Sequence, residues 1–169
     1  MVDQSLAKNE ATRAAVIVSS HRVQTGVKPN HAGALAKEML AASGYAVDEP
    51  RVIGEGRDDV SEALDQALAT GARIILISGG TGCGPTDYTP EVAMERIHVR
   101  LTGVETQVLL AGLASSSKAG LSRAVIGLTS REPDATLIVT APSSAGGVRD
   151  TLGVVLPLVD SITRKLAGC

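Results

Sequence analysis

From Ser78 to Glu91 the chain reads Ser-Gly-Gly-Thr-Gly-Cys-Gly-Pro-Thr-Asp-Tyr-Thr-Pro-Glu, a concentration of residue types suited to holding an anion. Gly79, Gly80, Gly82 and Gly84 lack a Cβ, so their backbone N–H groups can approach a ligand closely and converge as a nest whose natural guest is phosphate. A glycine-rich turn that only joins a strand to a helix would show the same glycines, and the flanking residues favour binding. Asp87 follows the glycines, where a carboxylate beside bound phosphates would hold Mg²⁺ or orient a reacting oxygen. Capping the next helix is its alternative role, but Thr89 is already suited to that.

Two familiar phosphate loops do not fit. Gly79 and Gly84 have the glycine spacing of a P-loop, yet Pro85-Thr86 stands where the phosphate-binding Lys and the Ser/Thr would be needed. Gly80, Gly82 and Gly84 are spaced Gly-x-Gly-x-Gly, and no helix opens at once, which disfavours a dinucleotide fold. Cys83 has no candidate base near it in sequence and reads as inert. His98 reads as a surface residue on a helix.

The elements that must position this loop follow from hydrophobic patterning. Ala14–Val18 and Ile74–Ile77 are short, apolar and β-branched, as strands covered on both faces should be. The second of these runs directly into Ser78. Ala32, Leu35, Ala36, Met39 and Leu40 mark a helix ended by Ser43-Gly44, and Val60 to Leu68 marks another, closed by Gly71. Tyr45 to Ile53 is an extended segment between them. A helix is expected over Val92 to Ile97, with Thr89 as N-cap and Pro90 in its first turn. Gln107 to Ala114 reads as a helix, and Ala124 to Leu128 and Thr136 to Thr140 as strands around the turn at Arg131 to Asp134. Ala141 to Gly147 is a second glycine-bearing loop. Val148 to Leu166 is helical, with interruptions expected at Gly153 and Pro157.

Strands and helices therefore alternate, which predicts an α/β fold: a three-layer, doubly wound, mostly parallel sheet with helices on both faces and its ligand site at the strands' carboxyl ends. The 169 residues suit one domain over residues 14–169, with 1–13 as a polar, flexible tail lacking a signal-peptide core. A net charge of -2 and two Tyr as the only aromatics disfavour nucleic acid as a partner. No apolar run is long enough for a membrane span, and Cys83 and Cys169 form no disulfide framework, so a cytoplasmic location is expected.

The loop from Ser78 to Glu91, together with Leu121-Ser122-Arg123 and Pro142-Ser143-Ser144-Ala145-Gly146-Gly147-Val148-Arg149, closely resembles the MoaB/Mog family of molybdenum-cofactor biosynthesis proteins. The resemblance runs in order over roughly residues 14 to 166. It implies a molybdopterin-binding-domain-like fold that binds molybdopterin. It further implies adenylylation of the terminal phosphate with Mg-ATP and release of pyrophosphate, a nucleotidyltransferase activity. Carried onto this chain, Asp87 and Glu55 are the expected catalytic and Mg²⁺-binding carboxylates. The expected ligand-binding residues are Ser78, Gly79, Gly80, Thr81, Gly82, Ser122, Arg123, Pro142, Ser143, Ser144, Gly146, Gly147, Ser20 and His21, with Lys118 and Arg123 balancing ligand charge. Relatives imply a homotrimer or a hexamer of trimers, and a downstream molybdenum-insertion protein as partner.

Three positions depart from the family pattern. Ser20-His21-Arg22 replaces Ser-Asp-Arg, Asn30-His31-Ala32-Gly33 replaces Asp-x-Ser-Gly, and Glu55 stands where an aspartate is usual. Fewer acids would then face a Mg-triphosphate, and the second reading is accordingly a divergent, non-catalytic molybdopterin-binding or assembly protein. His21, when protonated, could meet phosphate directly.

Overall fold

The structure is a computed structural model that describes residues 11–169. The expected tail thus falls largely outside the described residues, and Arg13 is already the first residue of a strand. Strand β1 (Arg13–Ser19) leads through a single helical turn, α1 (His21–Gln24), to helix α2 (His31–Ala42). The extended segment that follows is two short strands, β2 (Ala46–Val47) and β3 (Arg51–Ile53). Both lie parallel along β1, with Asp48-Glu49-Pro50 bulging out between them. Pro50 has no N–H to give to a ladder, which accounts for the break.

Next come α3 (Arg57–Ala69), β4 (Ile74–Ser78), α4 (Thr89–Met94), β5 (Val99–Arg100), α5 (Thr102–Ser115), β6 (Ile126–Leu128), β7 (Leu137–Ala141), α6 (Ala145–Val155) and α7 (Val159–Leu166). The sheet runs β2-β1-β4-β7-β6-β5, with β3 beside β2 on the same flank of β1. The β1, β4 and β7 pairings are parallel, whereas β6 and β5 run antiparallel at the far edge. The sheet is therefore mostly parallel, as expected.

Alternation along the central strands builds two cores. Val16, Val18, Ile74, Leu76, Leu137 and Val139 point to the face covered by α2, α5, α6 and α7, where Ala36, Leu40, Val108 and Leu152 meet them. Ile17, Ile75, Ile77 and Ile138 point to the other face and pack on Val60, Ala63 and Leu64 of α3 and Val92 and Ala93 of α4. All five residues of β4 are buried. With no Phe or Trp in the chain, aliphatic packing of this kind supplies the cores, each fully buried Ile, Leu or Val contributing about 1.5–3 kcal/mol.

Several local expectations are corrected. The helix after Pro90 ends at Met94, short of Ile97, and His98 lies in a bend before β5, its imidazole bonded to the Thr129 carbonyl. Thr89 does not cap α4. Tyr88 occupies the N-cap position, and the Thr89 N–H is drawn instead to the Gly80 carbonyl at 3.0 Å. Gly153 lies inside α6 without interrupting it, while Pro157 does separate α6 from α7 through a turn of 3₁₀ helix. Gly146 and Gly147 belong to the first turn of α6 rather than to a loop.

The chain places β3 on one side of β1 and β4 on the other, so their connections leave the sheet in opposite directions. The carboxyl ends of β1 and β4 consequently frame a topological switch point, the crevice where open α/β sheets take ligands. Gly79 leaves β4 there at φ 97°, and a Cβ on it would sit 2.2 Å from the Ser19 carbonyl oxygen. Its N–H bonds the Ala141 carbonyl at 2.9 Å, so it cannot step aside. Gly79→Ala should cost about 3 kcal/mol through strain and overlap together, which lowers the melting temperature by about 6–12 °C in thermal unfolding.

Candidate functional site

The site is assembled from the segments that leave the carboxyl edge of the sheet. The glycine loop after β4 is tied to the segment after β7 by the Gly79 N–H and by the Ser78 hydroxyl, which donates to the Pro142 carbonyl at 3.1 Å. Among the described residues, the N–H groups of Gly80, Thr81 and Gly82 find no acceptor. Those of Ala145 and Gly146, at the start of α6, are likewise without one. Orphan donors at a helix N-terminus, where the helix dipole is positive, attract anions. Both sets border one cavity of about 830 Å³, lined among others by Gly80, Thr81, Gly82, Asp87, Ser122, Pro142, Ser143, Gly146 and Gly147.

Arg123 fixes the shape of the loop. Its backbone N–H reaches the Thr81 carbonyl at 2.8 Å, its Nε donates to the Gly82 carbonyl at 2.7 Å, and its Nη2 donates to the Asp87 carbonyl at 2.8 Å. Its Nη1 pairs with Glu91 in the first turn of α4. This pairing and hydrogen bond hold the Glu91 carboxyl below its ordinary value and the guanidinium above its own. Arg123 thus spends its donors on the loop. Lys118 also borders the cavity, and it makes no side-chain hydrogen bond or ion pair among the described residues.

Asp87 lies inside the curl of the loop. Its Oδ2 accepts the Gly84 N–H at 2.7 Å, and a Cβ on Gly82 would come within 2.7 Å of the same oxygen. Among the described residues, its Oδ1 accepts no hydrogen bond. Thr89, beneath the loop, has a fully buried hydroxyl with no partner among the described residues, 2.4 Å from where a Cβ on Gly80 would stand. Gly80 therefore has to be glycine for Thr89 to sit there.

The structure separates the remaining expected residues by what their side chains already do. Ser144 caps α6, its Oγ accepting the Gly147 N–H at 3.0 Å, and Ser20 caps α1 by accepting the Val23 N–H at 3.3 Å. The Ser122 hydroxyl sits 3.4 Å from that of Thr81. Ser143 approaches Gly79 and borders the cavity. Glu55, Ser20 and His21 stand at the ends of β3 and β1 and are not among the residues lining it. Glu55 accepts the His21 N–H at 3.3 Å and the Thr86 hydroxyl at 3.0 Å. Asn30 caps α2, its Oδ1 accepting the Gly33 N–H at 2.9 Å, so the cap is made by a neutral side chain.

Three or more His, Cys, Asp or Glu that could enclose a metal are nowhere gathered among the described residues. A Mg²⁺ ion that keeps water and substrate phosphates as ligands requires only one or two carboxylates. Asp87, with Oδ1 available at the cavity wall, meets that requirement.

Sheet and loop together define an open α/β protein with a cavity bordered by unpartnered N–H groups beside the carboxyl ends of β4 and β7. A family model described as "Probable molybdopterin binding domain" matches residues 15–161. Among solved structures, a protein of Corynebacterium diphtheriae ascribed to molybdenum cofactor biosynthesis is similar, with 40% identity, a TM-score of 0.84 and coverage of 92% of this chain and 97% of that one. The molybdopterin biosynthesis Mog protein of Mycobacterium ulcerans follows at 34% identity and a TM-score of 0.82, covering 92% and 99%. A molybdenum cofactor biosynthesis bifunctional protein of Chlorobaculum tepidum is 29% identical over 156 residues, which are 92% of this chain and 49% of that protein. This chain thus spans about half the length of that relative. It belongs to the MoaB/Mog family of molybdenum-cofactor biosynthesis proteins. No helix among the described residues is long and apolar enough to cross a membrane.

The Arg123 staple makes a prediction about acid. Because the Glu91 carboxyl is lowered in the folded state, the pair stabilises fully above the ordinary carboxylate value of 4.5 and loses that contribution as the pH falls through the lowered one. Arg123→Met should therefore melt below the parent at pH 7, and the gap should narrow at pH 3.5. It should not close, since the bonds to the Gly82 and Asp87 carbonyls do not titrate. Thermal melts at the two pH values measure it.

Proposed function

We propose that the chain binds molybdopterin in this cavity and adenylylates its terminal phosphate with Mg-ATP. The observation that carries the reading is the convergence of two sets of unpartnered N–H groups, from the glycine loop and from the start of α6, on one cavity with Asp87 in its wall. Two such sets suit two phosphate-bearing substrates better than one. In the transfer, an oxygen of the molybdopterin phosphate forms a bond to the α-phosphorus of ATP as the bond to the leaving pyrophosphate breaks. Oxygen is exchanged for oxygen and no net proton transfer is needed.

The protein's part is to position and to balance charge. The N–H groups of Gly80 to Gly82 hold equatorial oxygens, and those of Ala145 and Gly146, with Ser143 beside them, hold the second anion. The Lys118 ammonium adds mobile positive charge. Asp87 would hold Mg²⁺ through Oδ1, and the ion would supply neutralisation of the phosphate oxygens. The product suits a downstream molybdenum-insertion protein, and a reducing cytoplasm agrees with Cys83 and Cys169 being exposed and free.

A non-catalytic molybdopterin-binding role is the second reading. It is favoured by Glu55, which spends both carboxylate oxygens away from the cavity. The two readings separate in one assay: molybdopterin and Mg-ATP are supplied, and pyrophosphate and adenylylated product are measured. The enzyme reading expects turnover, and Asp87→Asn should lower kcat by at least about 100-fold with molybdopterin binding retained. Tight binding without turnover in the parent establishes the second reading, and absence of binding overturns both.

The same family reading extends to a homotrimer, or to a hexamer made of trimers. Only Val108 of α5 is buried; Leu110 and Leu113 are exposed outside the cavity lining, Leu110 by 62%, and Leu109 and Leu121, exposed too, border the cavity. A cluster of this kind on a single chain marks an association surface. Light scattering should give a multiple of three protomers for the parent and a smaller species for Leu110→Glu. A monomeric parent would overturn the trimer.

A further inference from the structure

Glu55 sits at the tip of a turn that is pinned to the end of β1. The Ser20 N–H donates to the Ile53 carbonyl at 3.1 Å, and the Ser19 hydroxyl donates to the Gly54 carbonyl at 3.2 Å. Gly56 follows at φ 115°, a conformation that side chains rarely adopt. From this fixed turn the carboxylate reaches in two directions. Oε1 accepts the backbone N–H of His21, the first residue of α1, and Oε2 accepts the hydroxyl of Thr86. Thr86 immediately precedes Asp87.

The limb of the loop that carries Asp87 is therefore held from both flanks. On the β6 side Arg123 grips the Asp87 carbonyl. On the β3 side the Glu55–Thr86 bond is the side-chain hydrogen bond, next to the Arg57 guanidinium that lies 5.9 Å from the Tyr88 ring centre, and Cys83, Gly84, Pro85 and Thr86 are otherwise exposed. A carboxylate with a donor on each oxygen, in a turn anchored elsewhere, is arranged to hold neighbouring segments in place. It is poorly arranged to give an oxygen to a cation in the cavity, whose wall it does not form.

We infer that Glu55 is a positioning residue: it latches the Asp87 limb to β1 and β3 through the Thr86 hydroxyl and does not ligate the metal. Its catalytic meaning rests on the adenylyltransferase reading, whereas the latch is a property of the protein alone and is tested without substrate.

The test compares Glu55→Ala, Thr86→Val, the double variant and Thr86→Ser by amide hydrogen exchange on the ligand-free protein. Losing a charge-assisted hydrogen bond at an exposed site should speed exchange at the hydrogen-bonded amides of Gly84, Asp87 and Tyr88 by about 5- to 10-fold. Glu55→Ala and Thr86→Val should do so alike, and the double variant should exchange no faster than either. Thr86→Ser, which keeps the hydroxyl, should match the parent. The His21 amide should lose protection in Glu55→Ala but not in Thr86→Val, because only the carboxylate serves it. Parent-like exchange in Thr86→Val, or multiplicative effects in the double variant, would overturn the latch.

In pyrophosphate-release assays, the latch predicts a lower kcat in Glu55→Ala and Thr86→Val, with the half-saturating Mg²⁺ concentration within about twofold of the parent's. A rise of tenfold or more in Glu55→Ala alone would make Glu55 a ligand after all. Absence of turnover in the parent would remove the adenylyltransferase reading, and the exchange comparison would still decide the latch.

Discussion

The arrangement depends on one guanidinium. A segment with four glycines between Gly79 and Gly84 has more backbone freedom to lose on ordering than almost any other sequence. The glycines are nonetheless needed, because backbone or side chains pass within overlap distance of a Cβ on Gly79, Gly80 and Gly82. Arg123 resolves the conflict by supplying, from a distant point in the chain, the hydrogen bonds that the loop cannot make with itself. With the carbonyls of Thr81, Gly82 and Asp87 drawn toward Arg123, the N–H groups of Gly80 to Gly82 are left without internal partners. That is the condition for an anion site organised before its ligand arrives.

The layered sheet was readable from sequence because its signals are local. Ile74 to Ile77 is apolar throughout, the Ala32 to Leu40 stripe has helical spacing, and the strand–helix alternation limits the topologies to those with a switch point. The motif residues of the site were readable too, as residue types. What those side chains bond was not. Arg123 and Glu91 are 32 positions apart, Glu55 and Thr86 are 31 apart, and which of several donors an acceptor takes depends on packing that no local pattern encodes. Hence Arg123, expected as a ligand-charge partner, also binds the loop at the cavity's edge, and the Ser20 and Ser144 hydroxyls also serve as helix caps, Ser144 while bordering the cavity.

Thr89 shows the same limit in reverse. Thr-Pro-Glu ahead of an apolar run is a sound helix-start signal, and α4 does begin there. The competing demand came from the glycine loop: the Gly80 carbonyl takes the Thr89 N–H, and the hydroxyl follows the backbone into the interior without a partner among the described residues. The tertiary contact overrode the local preference by a single residue. Asn30 and Glu55 belong to a related category, since each side chain is taken up by a structural bond and neither lines the cavity.

The split between β2 and β3 at Asp48-Glu49-Pro50 has a further consequence. An open parallel sheet forms through pairings distant in sequence, so unfinished chains expose strand margins that can recruit one another into aggregates. Here one margin is two fragments parted by acids and a proline, and the opposite one, β5, is only two residues long. Neither offers a straight run of free N–H and C=O groups for a stray strand to extend. The interruption that looks like an imperfection in the sheet therefore acts as a safeguard during synthesis.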